Sequence, residues 1–178
     1  IPPGYFGGNM DNWRVGKGAI MYYPIAVQGG LFSIGDSHAS QGDSELCGTA
    51  IECSLNGTFQ IILHKKADLV GTALEALDYP MLETKDEWLV HGFSFANYLT
   101  ELGEKAQSDI YSKSSVDLAL RDAFRKMRKF LMTTKKLTED EAISLITIGV
   151  DFGITQVVDG NWGVHAVIKK DIFAGGET

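Results

Sequence analysis

The chain has 178 residues and a formal charge of −7, from 16 basic and 23 acidic side chains. Hydrophobic residues make up 44% and charged residues 22% of it, a globular composition that excludes a disordered chain and a collagen-like fibre. The length suits one domain with a substantial core. The acidic balance argues against nucleic acid as a partner, and without an apolar run of about 18 residues we expect no membrane span.

The first residue is Ile1 rather than Met, so we expect a fragment or a processed piece of a longer protein. Cys47 and Cys53 would lie about 20 Å apart on a straight strand, which is too far for a disulfide. Two free thiols favour a reducing compartment, so we expect a cytoplasmic location. A precursor segment that directs export could still precede Ile1.

Residues 1–66 are predicted to form strands and turns. Residues 19–27 are apolar, and Pro24 among them is typical of an edge strand. Alternating side chains at 49–55, the Asn56-Gly57 pair and a second apolar run at 59–63 predict a β-hairpin. The one-sided alternation places Cys53 in the core. Together with 20 glycines in the chain, these patterns indicate sandwich-like strands.

The remainder, about 67–178, is predicted to mix helices and strands. A strand is expected at 88–95 and a short helix at 96–104 that ends at Gly103. Residues of one helix face recur after Ser114 or Ser115, the expected N-cap, at Val116, Leu120, Phe124, Met127 and Leu131. Thr138 and Glu141 form a capping box that opens a second helix. A final hairpin is predicted at 154–168, and the fold class is therefore α+β and β-rich.

The polar residues 36–45 carry the densest chemistry in the chain. Asp36 and His38 are two positions apart, as are Asp43 and Glu45, so each pair points to one side of an extended backbone. An Asp-x-His pair can give oxygen and nitrogen ligands to one metal, with zinc the first choice. The spacing matches no standard zinc motif and leaves open a polar loop built from turn-forming residues.

Three weaker candidates lie elsewhere in the sequence. Gly7 and Gly8 precede Asn9 and Asp11, which allows either close approach to a ligand or an ordinary glycine turn. Cys47 could be a nucleophile with His38 as its base, or a small buried residue. Two further histidines lie in strand-like runs, where each could complete a metal site or be structural; one of them, His165, is out of phase with the apolar stripe of its strand.

Several motifs together resemble the acetamidase/formamidase family. They are GGNMD at 7–11, GDSHASQGDSELCGTAIE at 35–52, and QVVD, GVHA and KDIF near the end of the sequence. The resemblance covers nearly all of the chain, which looks like the C-terminal portion of a longer protein. One departure is Ser44, where the family usually has glycine.

The resemblance implies hydrolysis of short aliphatic amides, such as formamide and acetamide, to a carboxylate and ammonia. On that basis we expect Asp36 and His38 to hold the metal, with Asp11 as a further ligand or orienting group. Glu45 is expected to be the general base, and Gln41 and Asn9 are expected to bind the substrate. The family members are longer, so the site is expected to need the missing N-terminal half or a partner chain.

The residues themselves leave two alternative functions open. Cys47 could act as the nucleophile of a cysteine amidase, with Glu45 as its base. A non-catalytic β-sandwich subunit could instead hold calcium through Asp36, Asp43 and Glu45. In either case we expect a homo-oligomer, with the apolar edge around 20–27 as its contact surface.

Overall fold

A computed structural model describes residues 1–173. Its centre is an antiparallel sheet of five strands in the order β1–β4–β5–β7–β6. The strands are β1 (Ile20–Tyr22), β4 (Met81–Glu83), β5 (Glu87–Phe93), β6 (Val150–Gln156) and β7 (Gly163–Lys169). A separate pair is formed by β2 (His38–Ser40) and β3 (Ile51–Glu52). The mixed, sheet-rich architecture confirms the predicted α+β class.

Four α-helices lie between β5 and β6 in the chain. They are α1 (Tyr98–Leu102), α2 (Ala106–Lys113), α3 (Val116–Thr134) and α4 (Glu139–Gly149). The predicted caps are confirmed, because Ser115 accepts a hydrogen bond from the Leu118 N–H, and Thr138 and Glu141 form a reciprocal capping box. Helix α1 ends at Gly103 as predicted, whereas α2 and β4 had no strong sequence signal. None of the described helices combines the length and apolarity needed to cross a bilayer.

The two faces of the sheet are covered by different parts of the chain. Helices α3 and α4 cover one face, where Met127 and Leu131 are fully buried against Val90 and Ile168. Close packing there depends on Gly92, since a Cβ atom at this position would lie 2.2 Å from the Ala123 nitrogen of α3. The opposite face carries a smaller apolar cluster and is approached by the N-terminal segment.

The final hairpin agrees with the sequence prediction. Strands β6 and β7 flank the turn at 159–161, and β6 begins at Val150, earlier than the predicted 154. Val164, Ala166 and Ile168 share the helix-covered face, as the alternation indicated. His165 points to the other face, which confirms its predicted phase.

The predicted hairpin at 49–63 is wrong for this chain. Only Ile51–Glu52 is a strand, and residues 53–65 form no strand or helix. The predicted burial of Cys53 is also wrong, because Cys53 is half-exposed and its companions Ile51 and Leu55 are 62% and 65% exposed. The sequence pattern is that of a paired strand, but the pairing with β2 ends at Cys53, whose N–H donates to the Ser37 carbonyl at 3.0 Å. No described strand pairs with residues 54–63, so their apolar side chains stay largely exposed.

Candidate active site

Three carboxylates from distant parts of the chain meet beyond the end of β6. Asp11 comes from the N-terminal segment, Glu45 from the loop after β2, and Asp159 from the turn between β6 and β7. One oxygen of each lies within 4.8 Å of the others. We call these three residues the buried carboxyl cluster, because Asp11 and Glu45 are only 6% and 7% exposed.

The backbone that carries this cluster is fixed by the last residue of β6. The buried Gln156 side chain accepts a hydrogen bond from the Asp11 N–H at 3.2 Å and donates one to the Asn9 carbonyl at 3.2 Å. The Val157 N–H donates to the Ser44 carbonyl at 3.0 Å. The end of β6 therefore brings the N-terminal segment and the loop at 42–45 to the same place.

Like charges held this close in a buried site favour protonation. Burial, reinforced by the negative charges of Glu45 and Asp159, raises the pKa of Asp11 to about 8. Burial also raises the pKa of Glu45. The Oδ2 atom of Asp11 is buried and has no hydrogen-bond partner among the described residues. The cluster thus needs a proton or a cation to neutralise it.

The backbone at this cluster is strained. Ser44, Glu45 and Asp159 have φ angles of 79°, 40° and 58°, in the left-handed region that non-glycine residues seldom occupy. Such conformations cost about 1–3 kcal/mol each and concentrate at functional sites, where the surroundings hold them. Two of these residues supply carboxylates to the cluster, so the strain lies where the carboxylates are held together.

A second group of possible ligands lies on the β2–β3 pair. His38 is opposite Glu52 in the register, and its Nε2 atom lies 3.2 Å from Glu52 Oε1 and 3.1 Å from Asp36 Oδ1. We call Asp36, His38 and Glu52 the histidine cluster. Burial of the ring lowers the pKa of His38, but the Gln41 hydrogen bond and the two carboxylate charges outweigh it and raise the net pKa.

One side chain connects the two clusters. The Oε1 atom of Gln41 lies 2.9 Å from His38 Nδ1, and its Nε2 atom donates to the Asp11 carbonyl at 2.7 Å. Because Gln41 Oε1 is an acceptor, the His38 Nδ1 atom carries a hydrogen and Nε2 faces the carboxylates. Gln41 therefore orients the ring, and both polar ends of its carboxamide bond to the protein.

The predicted site residues divide between these clusters. Asp36 and His38 lie together as expected, whereas Asp11 lies with Glu45 in the other group. Asp43 belongs to neither group, since its Oδ1 atom accepts a hydrogen bond from Trp13 Nε1 at 2.8 Å. The predicted oxygen set of Asp36, Asp43 and Glu45 is therefore dispersed.

The other predicted residues lie nearby without direct bonds to the carboxylates. Cys47 is exposed and free, and no hydrogen bond between described residues joins it to His38 or Glu45. The Asn9 backbone is held by Gln156, while no hydrogen bond of the described residues uses the Asn9 carboxamide. Asn9 thus keeps a carboxamide that is not used by the described residues, two positions before Asp11.

Sequence reasoning missed Glu52, Asp159 and Gln156 as site residues. Glu52 is the last residue of the long motif, and its position opposite His38 depends on strand pairing. Asp159 was interpreted as a turn residue of the final hairpin. Its positive φ is visible only in the structure, and the only sequence signal for Asp159 and Gln156 is that they begin and end the QVVD motif of the family resemblance.

Comparison with known proteins decides the family. The model of the Acetamidase/Formamidase family matches residues 1–175. The chain belongs to this family. The Methylophilus methylotrophus formamidase is 48% identical to it over 54 residues, and the Mycolicibacterium smegmatis acetamidase is 46% identical over the same length. Each of these two matches covers 29% of this chain and 13% of the relative.

Solved structures of family members share the fold. An acetamidase from Bacillus halodurans superposes with a TM-score of 0.68 at 21% identity, covering 97% of this chain and 50% of that one. An acetamidase from Yersinia enterocolitica gives a TM-score of 0.63 at 25% identity, covering 96% of this chain and 44% of that one. The chain therefore spans about half the length of these solved relatives.

Proposed function

We propose that this chain is part of a metal-dependent amidase that hydrolyses short aliphatic amides such as formamide and acetamide. The family match and the names of the two curated relatives support the reaction class. The single observation that carries the chemistry is the buried carboxyl cluster, with its orphaned Asp11 oxygen, connected through Gln41 to a histidine with two carboxylates.

We assign the metal to the histidine cluster and prefer zinc there. Zinc accepts imidazole nitrogen with carboxylate oxygen, which is the donor set of Asp36, His38 and Glu52. The hydrogen bond from His38 Nδ1 to Gln41 fixes the ring with Nε2 toward Asp36 and Glu52, so these three residues would hold the ion. A bound metal would lower the pKa of a water to about 7 and polarise the amide carbonyl.

The buried carboxyl cluster moves protons in this proposal. Glu45 takes a proton from the attacking water as the C–O bond forms, and returns it to nitrogen as the C–N bond breaks, so that ammonia leaves. Asp11, protonated near neutral pH because of its raised pKa, donates a hydrogen bond to the charged neighbour and stabilises it. In this proposal the Asn9 amide holds the carbonyl oxygen of the substrate.

The all-oxygen donor set of the buried carboxyl cluster would suit calcium rather than zinc. If both clusters bind cations, one chain will hold two ions. If our assignment is right, equilibrium dialysis will find one zinc ion per chain, and it will be lost in His38→Ala and kept in Asp11→Asn. His64→Ala is the matched control, because His64 is exposed and outside both clusters.

We also propose that the rest of the longer polypeptide covers this chain's exposed apolar side chains. We use the name apolar segment for a set of apolar side chains within residues 25–63, each of which is more than half exposed. They are Ile25, Val27, Leu31, Phe32, Ile34, Leu55, Phe59, Ile61, Ile62 and Leu63. Each would gain about 1.5–3 kcal/mol on full burial. Solved relatives have about twice this length, so they have enough additional chain to cover such a surface.

The deciding experiment is ammonia release from formamide and acetamide by the full-length polypeptide that contains this chain. Metal-loaded, chelator-treated and iodoacetamide-treated samples are run in parallel, with light scattering to report whether the protein is a homo-oligomer. We expect turnover that is lost on chelation, restored by zinc, and retained in Cys47→Ser. Loss in Cys47→Ser with resistance to chelation would favour the cysteine amidase, and ion binding without turnover would favour the binding subunit.

A further inference from the structure

Two histidines face each other on the side of the sheet away from α3 and α4. His91 of β5 and His165 of β7 are opposite each other in the register, with ring centroids 6.4 Å apart. They are 0% and 1% exposed. Neither belongs to the two carboxylate clusters, and the proposed chemistry does not use them.

The hydrogen bonds of both rings define the same tautomer. His91 Nδ1 lies 3.2 Å from the Pro80 carbonyl, which can only accept, so this nitrogen carries the hydrogen. His165 Nε2 lies 3.1 Å from Arg14 Nη1, which can only donate, so the hydrogen is on Nδ1 and faces Thr155 Oγ1. Both rings therefore present an accepting Nε2 atom to the N-terminal segment.

The rings are neutral, and the sheet is shaped to hold one of them. Burial lowers the pKa of His91 to about 3 and that of His165 to about 4. Gly153 of β6 lies opposite His165, and a Cβ atom there would be 2.4 Å from His165 Nε2. The absence of a side chain at position 153 thus makes room for the ring beside its strand.

The two Nε2 atoms hold a segment that leads directly into the site. Asn12 Nδ2 donates to His91 Nε2 at 2.9 Å, and Asn12 follows Asp11 in the chain. The guanidinium of Arg14 lies between His165 and Asp43, with Nη1 3.5 Å from Asp43 Oδ1. The two rings therefore hold the segment against the sheet, while Asp43 connects the segment to the loop that carries Glu45.

We propose that His91 and His165 are positioning residues of this site, which hold Asn12 and Arg14 and thereby fix Asp11 and the loop at 43–45. The consequence for turnover rests on the proposed function, whereas the anchoring does not. Strands β5 and β7 are the buried centre of the sheet, so the hydrogen bonds transmit the rigidity of the sheet to a segment without helix or strand of its own.

The test compares leucine and glutamine variants of each histidine in the full-length protein. Leucine removes the accepting atom, and glutamine keeps an accepting Oε1 near the position of Nε2. Val167→Ala is the matched control, because Val167 lies on the same face of β7 and packs with Leu82 and Leu89. Amide hydrogen exchange is measured for residues 9–14, together with kcat and KM for formamide in the zinc-loaded enzyme.

We expect exchange in residues 9–14 to accelerate by about 10-fold or more in His91→Leu and His165→Leu, with protection of β5 and β7 retained. We expect kcat to fall by a similar factor, with a smaller change in KM and substantial rescue in the glutamine variants. Val167→Ala should leave exchange in residues 9–14 unchanged. If a leucine variant does not fold, Asn12→Ala removes the His91 bond from the other side and should give the same acceleration.

Unchanged exchange in both leucine variants, equal acceleration in Val167→Ala, or glutamine variants as defective as leucine would each overturn the positioning role. Failure of the proposed function gives a different result, because the native protein would then lack turnover while the exchange pattern still reports the anchoring.

Discussion

Two regions of this chain differ in where their apolar side chains find partners. Between Tyr79 and Ile168, the strands and helices bury their apolar faces against one another. In the apolar segment, Leu31 and Phe59 are 98% and 54% exposed, although these side chains are as apolar as those buried in the first region. The first region is thus a core that its own elements complete, whereas the apolar side chains of the second are left largely uncovered by the described residues.

The difference between the two regions can be tested by truncating one apolar side chain in each. Met127→Ala removes a fully buried side chain of α3 and should destabilise by about 2–5 kcal/mol. Phe59→Ala should change the unfolding free energy of residues 1–178 by less than about 0.5 kcal/mol. In the full-length protein it should cost about 3 kcal/mol, measured by urea denaturation. An equally small effect there would show that the apolar segment is not an interface.

Glycines provide a second contrast, between tight and open packing. Gly92→Ala should destabilise by about 3 kcal/mol, because the new Cβ would lie 2.2 Å from one α3 backbone atom and 2.6 Å from another. Gly16→Ala, in the N-terminal region, is the control, since a Cβ there meets nothing within 4 Å. Its effect should be within about 0.5 kcal/mol. A Gly92→Ala protein with native stability would mean that α3 can move away from β5.

The dependence of stability on pH separates the two buried histidines of the sheet from the buried carboxyl cluster. The folded pKa values of His91 and His165, about 3 and about 4, lie below the unfolded value of about 6.5, so the unfolded state binds more protons below that pH. The folded pKa of Asp11, about 8, lies above its unfolded value, so between about pH 4 and 8 the folded state binds the extra proton.

Below about pH 6.5 the two histidines outweigh Asp11 by one proton, and above it Asp11 acts alone. The metal-free protein should therefore be most stable near pH 6.5 and lose about 1 kcal/mol by about pH 5. The raised pKa of His38 adds to the loss above about pH 6.5. Thermal melts of the native protein and Asp11→Asn test this, since the variant should lose much of the alkaline decline. A native protein whose stability rises steadily from about pH 6.5 to 8 would contradict it.

The smallest expected effect concerns the strained loop at the buried carboxyl cluster. Ser44 has a φ angle of 79°, and glycine adopts this conformation without the steric cost of a Cβ. Ser44→Gly should therefore stabilise the protein by about 1 kcal/mol, measured by urea denaturation. Loss of stability would mean that the reduced freedom of serine in the unfolded chain outweighs the strain.

The sequence predicts most of the first region and little of the second. The periodicity from Val116 to Leu131, the Thr138–Glu141 capping box and the final hairpin all have the expected form. These patterns reflect interactions between residues that are close in sequence, so both partners of each interaction are present in this chain. The hairpin predicted at 49–63 is wrong because a strand pattern needs a paired strand, and among the described residues β2 pairs only with Ile51–Glu52 and no strand pairs with 54–63.

The candidate site was likewise predicted only in part from the sequence. The long polar motif contains Asp36, His38 and Glu45, and its resemblance to a known family was confirmed by the match over residues 1–175. The assignment of Asp11 to the same metal as His38 remains a prediction, with the structure grouping Asp11 with Glu45 instead. The metal, its ligands and the catalytic roles likewise remain predictions.

By itself, the sequence determined the N-terminal caps of α3 and α4, the final hairpin, the inward phase of its alternating residues and the family. Only the tertiary structure decided which carboxylates meet and which histidines anchor them. Asp11 and Gln156 are 145 positions apart, and the bond between them exists because β6 ends beside the N-terminal segment. Local patterns encode caps and periodicity, whereas an encounter over such a separation depends on the complete strand order of the sheet.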